Sequence, residues 1–472
     1  MSRIVFYRIM VNHKLIKKII FHPRQAAFFL LPFSFLLITA CPDPPEEIPK
    51  RDTSINLEVL SAFTTTARLH ISVEDTTAEW TFGLKRNGED ILTATVFNND
   101  TTFVDNALTP STQYTYQAQW MEDGIALDSS LDAIAITMDT TSHNFVWEID
   151  TLGDSGSYLN DVAIVDENNI WVVGMIKIPD PDSSFNGTGW ESFNAAHWDG
   201  TEWKYQLIGQ PGVIGDGVHY FAENDIWVAT GIIYHWNGEE WERFHLYNMG
   251  VLGANDGGVT EIWGTSSSNI YFAGRKGSIV HYDGSEFTKM ESGTEVDLED
   301  IDGTEDGEHV FATGYEQTGT WAGHSIALAL EDGQWVTVRH EDSFTPFGVS
   351  DWGLISSVWS GEDEAYFMTY AGLKYYDYTT GETGIKYTMW EMGTSTDHIV
   401  NIKGNDVNDI FLIGRLGGYY HFNGIQWYKN NEIENNISVY TTSMDYKDNI
   451  YVSVGWEISF EHAYIIRGYR LN

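Results

Sequence analysis

In the second half of the chain, apolar and polar positions alternate in short runs that return at regular intervals. His281–Phe287 reads HYDGSEF, and the same order of types (His, aromatic, Asp or Asn, Gly, two intervening residues, aromatic) recurs as HWDGTEW from His197, HWNGEEW from His235 and HFNGIQW from His421. An Asp-Gly or Asn-Gly pair lets both central residues take φ > 0, so each copy predicts two strands joined by a two-residue hairpin turn. Upstream of each copy is a polar turn ending in Asn or Asp, then Ile, an aromatic and small residues: ENNIWVVG to Gly174, ENDIWVAT to Thr230, SSNIYFAG to Gly274, VNDIFLIG to Gly414 and KDNIYVSV to Val454. Weaker copies are GEHVFATG and EDEAYFMT, which makes seven. The anchors Ile170, Ile226, Ile270, Val310, Ala365, Ile410 and Ile450 are 56, 44, 40, 55, 45 and 40 residues apart. A period near 40 to 50 with four short strands per unit predicts a β-propeller, whose blades bury their faces against one another.

Residues 145–472 give about 47 positions to each of seven units, within the propeller range. The expectation is a seven-bladed ring, with six or eight blades as alternatives because the units around Val310 and Ala365 are degenerate. The last unit stops without a clear fourth strand after Ala463–Arg467, whereas Phe145–Ile149 is a strand without partners. The N-terminal strand is therefore expected to complete the last blade and hide its edge.

Ahead of the repeats, Ala67–Val73 and Trp80–Leu84 alternate as strands with one apolar face. LTPSTQYTYQAQW from Leu108 resembles the tyrosine-corner segment of fibronectin type III domains, with Leu108, Pro110 and Tyr114 on the family's positions. The resemblance covers residues 54 to 139 and implies a spacer or adhesion module without catalysis, in a domain bounded at 54–140. Another seven-stranded sandwich is the alternative.

Residues 1–40 carry six Lys or Arg and no acid, with an apolar run from Ala26 to Ala40. That run is short for a spanning helix, which needs about 20 residues, and suits an export signal. Ile38-Thr39-Ala40-Cys41 resembles the lipobox of bacterial lipoproteins. The resemblance implies cleavage before Cys41, acyl chains on its thiol, and an outer-membrane lipoprotein, surface-exposed or periplasmic; Met10 is an alternative start. Residues 41–53 read as an acidic, Pro-rich spacer.

The whole chain of 472 residues is 42% hydrophobic and 14% aromatic, enough for two or more cored domains, and its aromatic and glycine content points to an all-β protein. The formal net charge is −42, or −48 without residues 1–40. Such a field repels phosphate backbones and anionic lipid and attracts cations, which excludes nucleic-acid partners. Cys41 is the only cysteine, so no structural disulfide exists.

The repeated histidines sit in different blades, too far apart to share a metal, and are expected to be structural. No cofactor is expected. Two acidic stretches fit calcium in part: Asp302–Gly307, with Thr313 where the bidentate Glu belongs, and the set Asp180, Asp182, Ser184, Asn186. The segments that exceed the repeat template, Met175–Asn194, Tyr315–Ser325, His340–Trp352 and Trp456–His462, all fall at connections that share one propeller face. They bring candidate ligand-binding residues: Trp190, Trp321, Trp352 and Trp456, beside Asp182, Glu191, Asp351 and Glu461. Indole faces stack on sugar rings and carboxylates accept from hydroxyls, so the face is expected to bind a glycan or a protein partner without catalysis. A glycan-cleaving enzyme on the same face is the first alternative, needing two carboxylates at a defined separation. The stretches ENNIWVVG, ENDIWVAT and GLKYYDYTTGE resemble repeats of two-component-regulator sensor propellers and secreted propeller lipoproteins, which makes an extracytoplasmic sensing component the second alternative. Only six arginines lie in residues 145–472, among them Arg275 and Arg415 at equivalent repeat positions. No sialidase-type cluster is expected from them.

Overall fold

The computed structural model describes residues 54–74, 79–180, 189–319, 322–342, 352–395, 397–430, 433 and 438–471; Cys41, Asp182, Trp321 and Asp351 lie outside the described residues. Alternation in Ala67–Val73 buries Ala67, Leu69, Ile71 and Val73, and the strand pairs with Ile55–Ala62 and Asp100–Asp105 in a three-stranded sheet. A second sheet runs Glu89–Val96, Trp80–Arg86, Gln113–Glu122 and Ile125–Ser129, with Ala133–Ile136 also on Gln113–Glu122. Leu69, Ile71, Trp80, Phe82, Tyr116 and Trp120 share the core between them. The Tyr114 hydroxyl accepts the Thr109 N–H at 2.8 Å, the bond expected of a tyrosine at a sandwich corner.

Beyond it lie seven four-stranded antiparallel sheets among the described residues, numbered here 1 to 7 along the chain. Their inner strands are Tyr158–Asp166, Gly217–Ala222, Val259–Ser266, Leu298–Gly303, Ile355–Ser360, Ile399–Asp406 and Val439–Lys447. Each inner strand touches the next, and the seventh touches the first, so the arrangement is propeller-like. In sheet 7 the outer strand is Phe145–Leu152, which pairs antiparallel with Ala463–Arg470 from Arg470↔Phe145 to Ala463↔Leu152. This is the partner expected for Phe145–Ile149.

The two repeated motifs turn out to be halves of one contact. The aromatic of the second strand is the cross-strand partner of the motif histidine on the third: Trp171↔His197, Trp227↔His235, Tyr271↔His281 and Phe411↔His421. Their rings lie 4.2 to 4.6 Å apart. Each histidine Nε2 then donates to the side-chain oxygen of the Asx that opens the second strand: Asn169, Asp225, Asn269 or Asp409, at 2.7 to 2.9 Å. A half-buried imidazole needs a polar partner, and the Asx supplies it.

The turn inside the motif corrects the expected two-residue hairpin. Four residues, Asp199–Glu202, separate Trp198 from its partner Trp203. Of the Asx-Gly pair only Gly200 has positive φ, as do Gly238, Gly284 and Gly424 in the other copies. The Asp199 carboxylate accepts the N–H groups of Thr201 and Glu202, so the side chain does what a second left-handed residue would have done. The glycine ending the second-strand motif has a different cause. A Cβ at Gly174, Gly274 or Gly314 would sit 2.0 to 2.3 Å from a carbonyl oxygen at the start of the inner strand.

The sandwich is fixed to sheets 5 and 6 on the side where their first and second, and third and fourth, strands join. Arg68 pairs with Asp377 at 2.8 Å, Asn408 donates to the Asp139 carbonyl at 2.7 Å, and the Thr141 hydroxyl donates to the Asn408 carbonyl at 2.9 Å.

Candidate functional site

The inner strands present a bare edge to the axis, and each unpaired N–H there needs an acceptor. Side chains from the preceding sheet provide several: Asp161 accepts from Val218 N–H, Asp300 from Val358, Asp302 from Ser360 and Asp445 from Ile164, at 2.6 to 3.0 Å. The Ser357 hydroxyl does the same for Ile402. Six of the seven inner strands carry a register shift near their start, and the residue after it is polar in all six: Asp161, Glu261, Asp300, Ser357, Asn401 and Ser443. Bulges bend a strand and re-aim a side chain, here at the same level around the ring. Burial pushes Asp161 up to about 6. Burial also opposes the Lys403 charge, but Asp302, Asp300 and Asp445 outweigh it and hold the amine protonated, with Asp302 in contact at 3.3 Å. Most of these deep acids are thus occupied in holding sheet to sheet.

The axis encloses a cavity of about 1330 Å³. At the end where second and third strands join, its lining changes character. Arg275 and Arg415 each follow the terminal glycine of a second strand, in sheets 3 and 6, and both line the cavity. Tyr158, Asp216, Glu299, Tyr315, Tyr440 and Trp456 complete this mouth. Arg415 lies over the Tyr440 ring at 5.0 Å and its charge favours the ionised form of the nearby Tyr315 phenol against burial, while its buried Nε has no partner among the described residues. Beside it, burial and the Arg415 charge push His398 down to about 4, so that imidazole is neutral at pH 7. Burial raises Asp216 to about 6, against the pull of Arg275. Burial and Asp297 raise Glu299 to about 7, although both guanidiniums favour its charged form. The mouth therefore offers two guanidiniums three sheets apart, phenol hydroxyls between them, and carboxylates whose ionisation responds to what sits there.

The residues expected at the binding face are placed as follows. Trp456 lines the mouth, but Tyr440 stacks on it at 4.5 Å and Phe460 at 5.9 Å, so neighbours cover its ring. Trp352 is only 4% exposed, packed on Phe367 at 5.5 Å with Arg339 over it at 6.0 Å, and it has no surface for a ligand. Trp190 opens the third strand of sheet 1 opposite Pro179, with exposed Glu191 next to it, and neither lines the cavity. Glu461 is exposed beside Glu457 and His462. In the stretch considered for calcium, Asp302 is taken by Ser360 and Lys403, whereas Asp306 accepts from Thr304 and the Glu308 N–H in its own turn. The long second-to-third-strand segments are largely strand: Asn169–Pro179 with Trp190–Trp198, and Val310–Gly319 with Ala322–Glu331. Sequence reasoning put Trp456 at this end of the ring but did not single out Tyr158, Asp216, Arg275, Glu299, Arg415 or Tyr440 as lining it. The visible signal for these residues is an arginine repeated at the same turn position, after the terminal glycine of the second strand, in two units.

No protein-family model matches the chain, and no characterised protein matches it in sequence. Solved structures similar to it include YCF48 bound to D1 peptide, at 13% identity over 71% of this chain and 97% of that one, with a TM-score of 0.49. BBS1N in complex with ARL6DN is 12% identical over 68% and 96%, with a TM-score of 0.41. The extracellular domain of the hybrid two component system BT3049 from B. thetaiotaomicron is 9% identical over 74% and 56%, with a TM-score of 0.26.

Proposed function

We propose that the protein is a lipid-anchored cell-envelope component in which a fibronectin type III-like stalk carries a seven-bladed propeller, and that the arginine-bearing mouth binds a protein partner without catalysis. The observation that carries this reading is Arg415. Its guanidinium is held over Tyr440 with a buried Nε donor left unused, and Arg275 stands at the equivalent turn three sheets away. Such planar donors suit a carboxylate, and Arg with Tyr is the composition of energetic anchors at protein interfaces. The net charge of the chain sets the rest of the partner's chemistry. A field this negative draws in a basic protein and repels an acidic one, so the partner is basic overall and inserts a carboxylate, from a side chain or a chain end, between the two arginines. Glycan stacking is the weaker reading because neighbours already cover the rings of Trp352 and Trp456.

The test uses fluorescent peptides with a basic body ending in a free carboxylate or an amide, titrated into the full chain and its Arg275→Ala and Arg415→Ala variants. The carboxylate form should bind at least about 30-fold more tightly, and either variant should remove the difference, as loss of a buried charge-assisted pair does. Equal binding of both forms would reject the mouth. Arginine-dependent binding of a uronic-acid glycan in place of the peptides would replace protein with glycan.

A further inference from the structure

A second group of side chains lies on the same side of the ring, in sheet 4, away from the axis. The ligand atoms of His324, His340 and Asp342 all lie within 4.8 Å of one another. Strand register puts them there. Ser325 pairs with Glu341 and Ile326 with His340, so His324 and Asp342 fall in the next pair on the face that His340 occupies two residues along. Glu316, on the second strand of the sheet, pairs directly with His324 and brings a carboxylate to the same face. Two imidazoles and one carboxylate thus meet on one spot, with Glu316 next to His324 on the adjoining strand.

We propose that His324, His340 and Asp342, with Glu316 as a fourth donor, bind a divalent transition metal of the zinc type. Two imidazole ligands select zinc, nickel or copper over calcium and magnesium, which prefer all-oxygen shells. Bonds of about 2.0 to 2.2 Å in a tetrahedral shell put ligand atoms about 3.3 to 3.6 Å apart, so rotation of partly exposed side chains by about 1 Å closes the site. The acidic field of the chain concentrates cations around it. The contact of His340 with Asp342, at 3.5 Å, is a weak surface pair by itself and gives no reason for His324 to join them. Glu316 follows Tyr315, which lines the mouth, so the metal fixes the hairpin that presents this phenol to the partner.

The test is calorimetric titration of the full chain with zinc and, separately, calcium after chelator treatment. One zinc per chain should bind, and calcium should not. His324→Ala and His340→Ala should each weaken zinc at least about tenfold, since loss of a mere supporting partner of a metal ligand already costs 10- to 100-fold. With copper as probe, the electron paramagnetic resonance spectrum should carry coupling to two imidazole nitrogens, reduced to one in either variant. The side chains are partly exposed, and circular dichroism of the metal-free variants checks that the fold is kept. Zinc affinity unchanged in both variants would overturn the proposal. So would a site lost in His462→Ala, which would move the metal to Glu457, Glu461 and His462.

Discussion

Replacement of Asp409 by Asn tests the account of how the sheets are joined. Asp409 opens the second strand of sheet 6 and accepts from His421 Nε2 at 2.8 Å, the Tyr446 hydroxyl at 2.7 Å and both terminal nitrogens of Arg470. Arg470 comes from the third strand of sheet 7, beside the outer strand that closes the ring. The two side chains are only 5% and 9% exposed, so removal of the carboxylate charge leaves a guanidinium in the interior without its counter-charge. Breaking such a pair costs about 3–5 kcal/mol, where an exposed pair costs less than about 1. Urea unfolding followed by tryptophan fluorescence at pH 7 reads the cost as a lower midpoint, and 0.5 M salt should not restore it, because a buried pair is screened little. Joint replacement, Asp409→Leu with Arg470→Met, should recover most of the loss, since an apolar pair of similar volume is close to neutral. The pH sign follows from the same bonds. Burial raises the Asp409 pKa, but its hydrogen bonds outweigh burial and hold it well below 3.8. Its contribution is therefore complete above the unfolded value near 3.8 and is lost only as the pH falls below it. A cost under about 1 kcal/mol for Asp409→Asn, or full rescue by salt, would refute the reasoning.

The mouth acids give the opposite pH sign: Asp216 and Glu299 have folded pKa values raised to about 6 and about 7, so stability from their protonated forms is lost as pH rises from about 4 to about 7. The thermal midpoint should fall over that window, and Asp216→Asn with Glu299→Gln should flatten the slope; an unchanged slope would contradict the assignment. Gly314→Ala forces a Cβ against the Asp297 carbonyl and should destabilise by about 1–3 kcal/mol in urea, whereas Gly333→Ala meets no atom within 4 Å and pays only for its positive φ. Tyr114→Phe removes the hydroxyl that accepts the Thr109 N–H and should cost about 1 kcal/mol, read by hydrogen exchange at Thr109.

Much of the ring could be read from local pattern because each unit solves the same problem with the same pair of strings. An aromatic, a histidine and an Asx must meet across two strands, and the spacing between the motifs carries that requirement. The turn was misread because Asx-Gly is compatible with two loop lengths, and the Asp199 side chain settles the longer one by capping Thr201 and Glu202. Most of the lining of the mouth was illegible for a different reason. Arg275, Glu299, Tyr315 and Arg415 come together only once seven sheets have closed, and no window of sequence contains that convergence. Trp352 shows the converse error: an aromatic outside the repeat template looked available, yet its position just ahead of an inner strand placed it under Arg339 in the core.

The bonds from Arg68 to Asp377 and from Asp139 and Thr141 to Asn408 have a mechanical meaning. A pull on the sandwich is taken up by these bonds before it reaches Phe145–Leu152, the strand whose departure would unlatch the circle. The same bonds stop the ring of sheets from swivelling, so the opening keeps a constant bearing relative to the sandwich.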